Sequence, residues 1–182
     1  MNKVEPIRDK ETIRNIINYL KETNKRNYIF FLVGIYTGLR VGDILSLKIK
    51  DVYNKPGIKI KAKKTGKDIN IKFNKELKKA LDEYAAGKDP DEYLIKSKQG
   101  YNKAISRIQA YRILKSIADK FKLDGIGCHS LRKTFGYHYY YATDKDIVTV
   151  QRALGHSDPS ITLRYIGIIK EDIDRGIDNL KF

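Results

Sequence analysis

The run YIFFLVGIYTG, residues 28 to 38, most constrains the fold. It is apolar nearly all round, so a helix built from it has no face to give to water and belongs at the centre of a core. Gly38 is the stop signal at its end. The remaining helical segments are one-sided, as a shell around such a helix must be. Ile13, Ile16, Ile17 and Leu20 follow an i, i+3, i+4, i+7 stripe, and Asp9 caps that helix, which runs through Thr23. Ala110, Ile113, Leu114, Ile117, Ala118 and Phe121 trace a second amphipathic helix. Ile169, Ile173, Ile177 and Leu180 trace a last one.

Further helices are expected in VGDILSL, from Asn74 to about Ala86, from Ser130 to about Ala142, and from Asp146 to Leu154. A short one starts at Asp158-Pro159, which has N-cap then N1 character. One stretch breaks the helical period. In GIKIKAKKTGKDINIKF, residues 57 to 73, Ile58, Ile60 and Ala62 alternate with lysines, and Ile69, Ile71 and Phe73 alternate beyond Thr65-Gly66. That predicts a β-hairpin with one apolar and one basic face. The expected class is mainly α with a small antiparallel sheet. At 182 residues the chain fits a single domain, 1–182, without internal repeat or linker.

Charge narrows the partner. Lys and Arg number 37 against 22 Asp and Glu, a net +15. An excess of that size predicts an anionic partner, nucleic acid first. No apolar run approaches the roughly 20 residues of a membrane span. MNKVEPIRDK lacks the apolar centre of a secretory signal. The single cysteine, Cys128, rules out an internal disulfide. These features lead to an expectation of a cytoplasmic protein with no membrane partner.

Several chemistries are set aside. TGKD at 65–68 lacks the glycine spacing and the following Ser/Thr of a P-loop. The carboxylates are scattered rather than converging as in a two-metal nuclease. Cys128 and His129 are sequence neighbours, which point apart, and Cys128 reads as a small core residue.

What remains is a set of arginines, histidines and one tyrosine. TGLRVGD places Arg40 just after a helix break and Asp43 three residues on. CHSLR places His129 and Arg132 on one side of a helix's first turn. LGH places His156 at the end of another helix, nine residues before Tyr165. Two guanidinium forks and two imidazoles suit a phosphate gaining negative charge. A tyrosine phenol beside arginines is a plausible nucleophile toward phosphorus. Taken alone, Tyr165 reads as one more packing aromatic. His138 reads as packing or surface, and the run Tyr139–Tyr141 as core plus rim, with one hydroxyl in reach of DNA as the alternative.

TGLRVGD, HSLRKTF and LGHSDPSITLRY resemble, in order, the three signature boxes of the tyrosine recombinases, the phage integrase family. The resemblance runs from about Pro6 to Phe182. It implies the fold of DNA breaking-rejoining enzymes and site-specific recombination of duplex DNA through a 3′-phosphotyrosyl link, without metal, ATP or other cofactor. It implies a role for each residue: Arg40 and Arg132 as the catalytic arginines, Asp43 as the acid steadying the cluster, His129 and His156 as the paired imidazoles, and Tyr165 as the nucleophile. Lys64, at the hairpin turn, resembles the lysine that protonates the departing 5′ oxygen, with Lys63 or Lys67 as substitutes.

Family members usually carry an N-terminal domain that closes over DNA, and often an arm before it. Neither is expected in this chain, which reads as the catalytic domain alone. It is expected to be a monomer in isolation and a tetramer on paired DNA sites. The last apolar helix, with Phe182, packs either on a neighbour or on its own domain. Two rival readings stay open: a type IB topoisomerase-like relaxase, and a non-catalytic DNA-binding module.

Overall fold

The computed structural model describes residues 4–61, 66, 68–167 and 177–180. Helix α1 (Lys10–Thr23) is capped by Asp9, whose carboxylate accepts from the Glu11 and Thr12 amides. Helix α2 (Lys25–Thr37) is buried from Ile29 through Ile35, the core position that its all-round apolarity demanded. It ends at Gly38, whose φ of 63° is the left-handed C-cap conformation that glycine adopts without strain. A side chain there would also run into the Phe135 ring. Helices α1, α4 (Lys75–Ala85) and α6 (Ser130–Ala142) pack around α2.

The short α3 (Val41–Ile44) leads through a 3-10 turn at Ile49–Asp51 to strands β1 (Gly57–Lys61) and β2 (Asp68–Lys72). These pair antiparallel with Ile58 opposite Ile71 and Ile60 opposite Ile69, which brings the alternating apolar residues of the predicted hairpin together on one face. Ser106 caps α5 (Arg107–Phe121) through a capping box with Gln109. Helices α7 (Ile147–Leu154) and α8 (Pro159–Ile166) complete the described elements.

Hydrophobic burial is unevenly shared. One large cluster joins α1 to α5, β1 and Leu131 of α6. A small second cluster of Val150, Leu154 and Ile166 holds α7 and α8 against α6. At that contact Gly136 admits α8 closely: a Cβ there would lie 2.7 Å from Ile166 Cγ2. Of the last apolar helix, Ile169, Ile173 and Phe182 lie outside the described residues. Ile177 and Leu180 are exposed.

Candidate active site

Helix ends set the site's layout. Arg40 stands at the N-cap position of α3, in extended conformation, and its carbonyl accepts from the Asp43 and Ile44 amides. Asp43, one turn on, is buried. Arg132 lies in the first turn of α6 and is 6% exposed. Its guanidinium donates to two backbone carbonyls, Gly38 at the end of α2 and Leu154 at the end of α7. Both are helix-terminal carbonyls without an intrahelical partner, so Arg132 ties three helix ends together while satisfying them.

His156 follows α7 directly after the Gly155 C-cap. Its Nδ1 lies 3.0 Å from the hydroxyl of buried Thr162, on α8. Its ring meets Tyr165 edge-on, with centroids 5.0 Å apart and planes at 78°. The Lys133 ammonium lies 5.3 Å from the centre of the Tyr165 ring. Arg40 and Arg132 also form part of the wall of an open cleft of about 820 Å³, shared with Ile69 and Ile71 of the hairpin and Tyr139 of α6.

The charges of these groups act on one another. Burial draws the Arg132 guanidinium below its ordinary range. The Tyr165 phenol opposes that shift, the Arg40 charge adds to it, and Asp43 opposes it. Burial, then Arg132, then Arg40 hold His156 down at about 4, so its imidazole is neutral at physiological pH. Burial pushes the Tyr165 phenol up, while Arg132 and Arg40 pull the other way. Two like-charged guanidinium groups thus act on one phenol, with the buried Asp43 carboxylate also acting on Arg132.

The Tyr165 hydroxyl is buried and, among the described residues, has no partner at hydrogen-bond geometry. The cause is local packing. Tyr165 leans on the Val150–Leu154–Ile166 cluster, with His156 across its ring. His129 occupies the N-cap position of α6 and is exposed, whereas Arg132, one turn on, is buried. Lys64 and its substitutes Lys63 and Lys67 lie outside the described residues. Cys128 is half-buried and burial pushes its thiol up, as suits an inert packing residue.

Thr162 escaped the sequence reading; its only signal there was a polar residue on the buried face of a short helix. Among the described residues, no three His, Cys, Asp or Glu side chains gather as metal ligands would.

Residues 8–171 match the phage integrase family. The chain belongs to that family, the tyrosine recombinases. Among relatives of this recombinase, the probable integrase/recombinase YoeC of Bacillus subtilis (strain 168) is 49% identical over 175 residues, covering 96% of this chain and 95% of the relative. Tyrosine recombinase XerA of Saccharolobus solfataricus is 28% identical over 166 residues, covering 91% of this chain but 53% of its own length. The fold resembles the crystal structure of XerA recombinase, with a TM-score of 0.78 at 22% identity over 99% of this chain and 66% of that one. It also resembles XerH recombinase bound to difH substrate before cleavage, with a TM-score of 0.72 at 22% identity over 98% of this chain and 55% of that one. The chain therefore spans nearly all of YoeC and between about half and two thirds of the Xer proteins.

Proposed function

We propose that residues 1–182 form a catalytic domain that cuts and rejoins duplex DNA by transesterification, with Tyr165 as nucleophile. The observation that carries this reading is the edge-on contact of the His156 ring with Tyr165, beside Arg40 and Arg132, which share one cleft wall and whose charges act on the Tyr165 phenol. The Tyr165 oxygen forms the bond to phosphorus and loses its proton. The 5′ oxygen leaves with a proton, giving a 3′-phosphotyrosyl link and a free 5′-hydroxyl. Arg40 and Arg132 neutralise the charge gathering on the non-bridging oxygens. With Nδ1 accepting from Thr162, His156 keeps Nε2–H as a donor for the same oxygens. His129 assists proton transfer from the rim, Asp43 holds the arginines, and Lys64 protonates the leaving oxygen. A 5′-hydroxyl from a partner duplex then reverses the reaction and exchanges strands. The ester energy stays in the phosphotyrosyl bond, so the scheme requires neither nucleotide nor metal.

The net charge of +15 suits a duplex DNA partner, and the XerH relative is bound to difH substrate. The buried phenol means that α8 must shift before attack, and the small cluster beneath α8 suits that movement. We place the reaction in the cytoplasm; among the described residues, no helix is long and apolar enough to cross a membrane. The free protein is a monomer that becomes a tetramer on paired sites. A single species of one chain's mass in light scattering is expected, and a stable tetramer without DNA would overturn that part. The reaction is tested with a nicked suicide duplex. Wild type should form a denaturation-resistant DNA adduct that Tyr165→Phe cannot form, and failure of wild type to form one would refute the reading.

A further inference from the structure

Residues 4–9 form a strap without helix or strand that is tied down at several points. The Glu5 amide donates to Gly125 O at 2.8 Å. Ile7 is buried, and both of its backbone groups are held by α6. Its amide donates to Thr134 Oγ1 at 2.9 Å, and its carbonyl accepts from His138 Nε2 at 3.0 Å. Thr134 and His138 lie one turn apart on the helix that carries Arg132. The strap is thereby fixed to the arginine side of the pocket.

Arg8 reaches from the strap to the other side. Its Nη2 donates to Gly167 O at 3.4 Å and to Glu5 Oε2 at 3.1 Å, and its guanidinium lies 5.7 Å from the centre of the Tyr137 ring. Gly167 is the C-cap of α8, two residues beyond Tyr165. The carbonyls at a helix C-terminus lack intrahelical partners, and the helix dipole makes that end negative. A cation held there by a carboxylate and an aromatic ring is a tether. It matters more for α8 than for a core helix, because α8 has eight residues and rests on the small cluster.

We infer that Arg8 is a positioning residue for the recombination chemistry: carried by the strap, it grips the C-terminal end of α8 and sets where Tyr165 stands relative to Arg132. This rests on the reading of Tyr165 as nucleophile. Arg8 acts through α8 and touches none of the reacting atoms.

Arg8→Ala, Arg8→Lys and, as a charge-loss control, Arg14→Ala on the exposed face of α1 are compared in two ways. The first is amide hydrogen exchange of residues 159–167 in the free protein. The second is the single-turnover cleavage rate at saturating nicked duplex, alongside the equilibrium affinity for that duplex. In Arg8→Ala, exchange in α8 should quicken while α2 stays unchanged. The saturated rate should fall by about tenfold to hundredfold, as a displaced reacting group would cause. Arg8→Lys should recover part of both effects, and Arg14→Ala should show neither. Unchanged exchange in α8 would overturn the inference, as would a loss confined to affinity, which is the signature of a phosphate contact. A wild type that does not cleave sinks the nucleophile reading instead, and the exchange result still decides whether Arg8 holds α8.

Discussion

The half of the molecule built on α2 and the half that carries Tyr165 are constructed differently. Around α2, Phe30, Phe31, Leu32, Ile44, Leu77 and Leu81 are sealed from water in one continuous cluster that also anchors the hairpin. Around α8, a cluster of three buried apolar side chains, a close glycine contact and a few polar tethers serve instead. Arg40 and Asp43 belong to the first half and Tyr165 to the second, with Arg132 and His156 at the seam. A scaffold that presents cations should be rigid, since preorganised charge is what stabilises a transition state. In the reaction proposed above, a helix that must first release a buried phenol should be cheap to move.

The comparison breaks most visibly under core truncation. Phe30→Ala should cost about 3–5 kcal/mol and lower the urea midpoint of the whole domain. Ile166→Ala, in the satellite cluster, should cost about 2 kcal/mol in global stability. It should nonetheless quicken exchange across α8 and reduce cleavage far more than that cost explains. Equal losses in both halves would show that the two clusters unfold as one.

Arg132→Ala probes the seam. It leaves the Gly38 and Leu154 carbonyls without their donor and should cost about 2–4 kcal/mol, seen as a lower denaturation midpoint. Arg132→Lys keeps the charge but loses the fork, so stability should partly return while cleavage does not. A Lys variant that cleaves normally would mean that the fork is not used on phosphate.

The pH dependence follows from His156, held near 4 against an ordinary 6.5 by burial and the two arginines. Above about pH 6.5 both folded and unfolded states carry a neutral imidazole and the difference vanishes. As pH falls through that value toward 4, the unfolded chain takes up a proton that the folded chain refuses, so stability drops. Burial also holds His138 below its ordinary value, which gives a slope of the same sign. Melting temperature should therefore fall less steeply between about pH 7 and about pH 4.5 in His156→Gln than in wild type. Parallel curves would contradict the burial of His156.

The smallest effects come from single hydrogen bonds. Ser106→Ala removes the α5 cap on the rigid side and should cost about 1 kcal/mol without slowing cleavage at saturating DNA. Thr162→Val should cost a similar ~1 kcal/mol yet slow cleavage, because it frees His156 to turn. Equal rates in the two variants would remove Thr162 from the site.

The helices and the two faces of the hairpin were legible because periodicity records which face is buried, and each cap and stop residue acts on its own neighbours. Asp9, Gly38 and Asp158 each do what their local chemistry says. Arg40, Arg132, His156 and Tyr165, whose charges and rings act on one another in the structure, had been picked out by the boxes that resemble the family's. Their exposure was not legible. Whether the Tyr165 oxygen faces water depends on how α8 seats against Gly136, a contact between residues distant in sequence. That His129 is exposed while Arg132 is buried was hidden for a related reason. Shared helical phase does not decide which side chain the α2 and α7 ends will cover. Arg8 and Thr162 left no pattern, because each matters only through a partner elsewhere in the chain.

The most direct test locates the covalent bond itself. After reaction with a nicked duplex, nuclease trimming and trypsin digestion, mass spectrometry should find the nucleotide on the peptide YIGIIK, residues 165–170, attached to the side chain of Tyr165. A nucleotide found instead on Tyr139, Tyr140 or any other residue would contradict the pocket built from Arg40, Arg132 and His156.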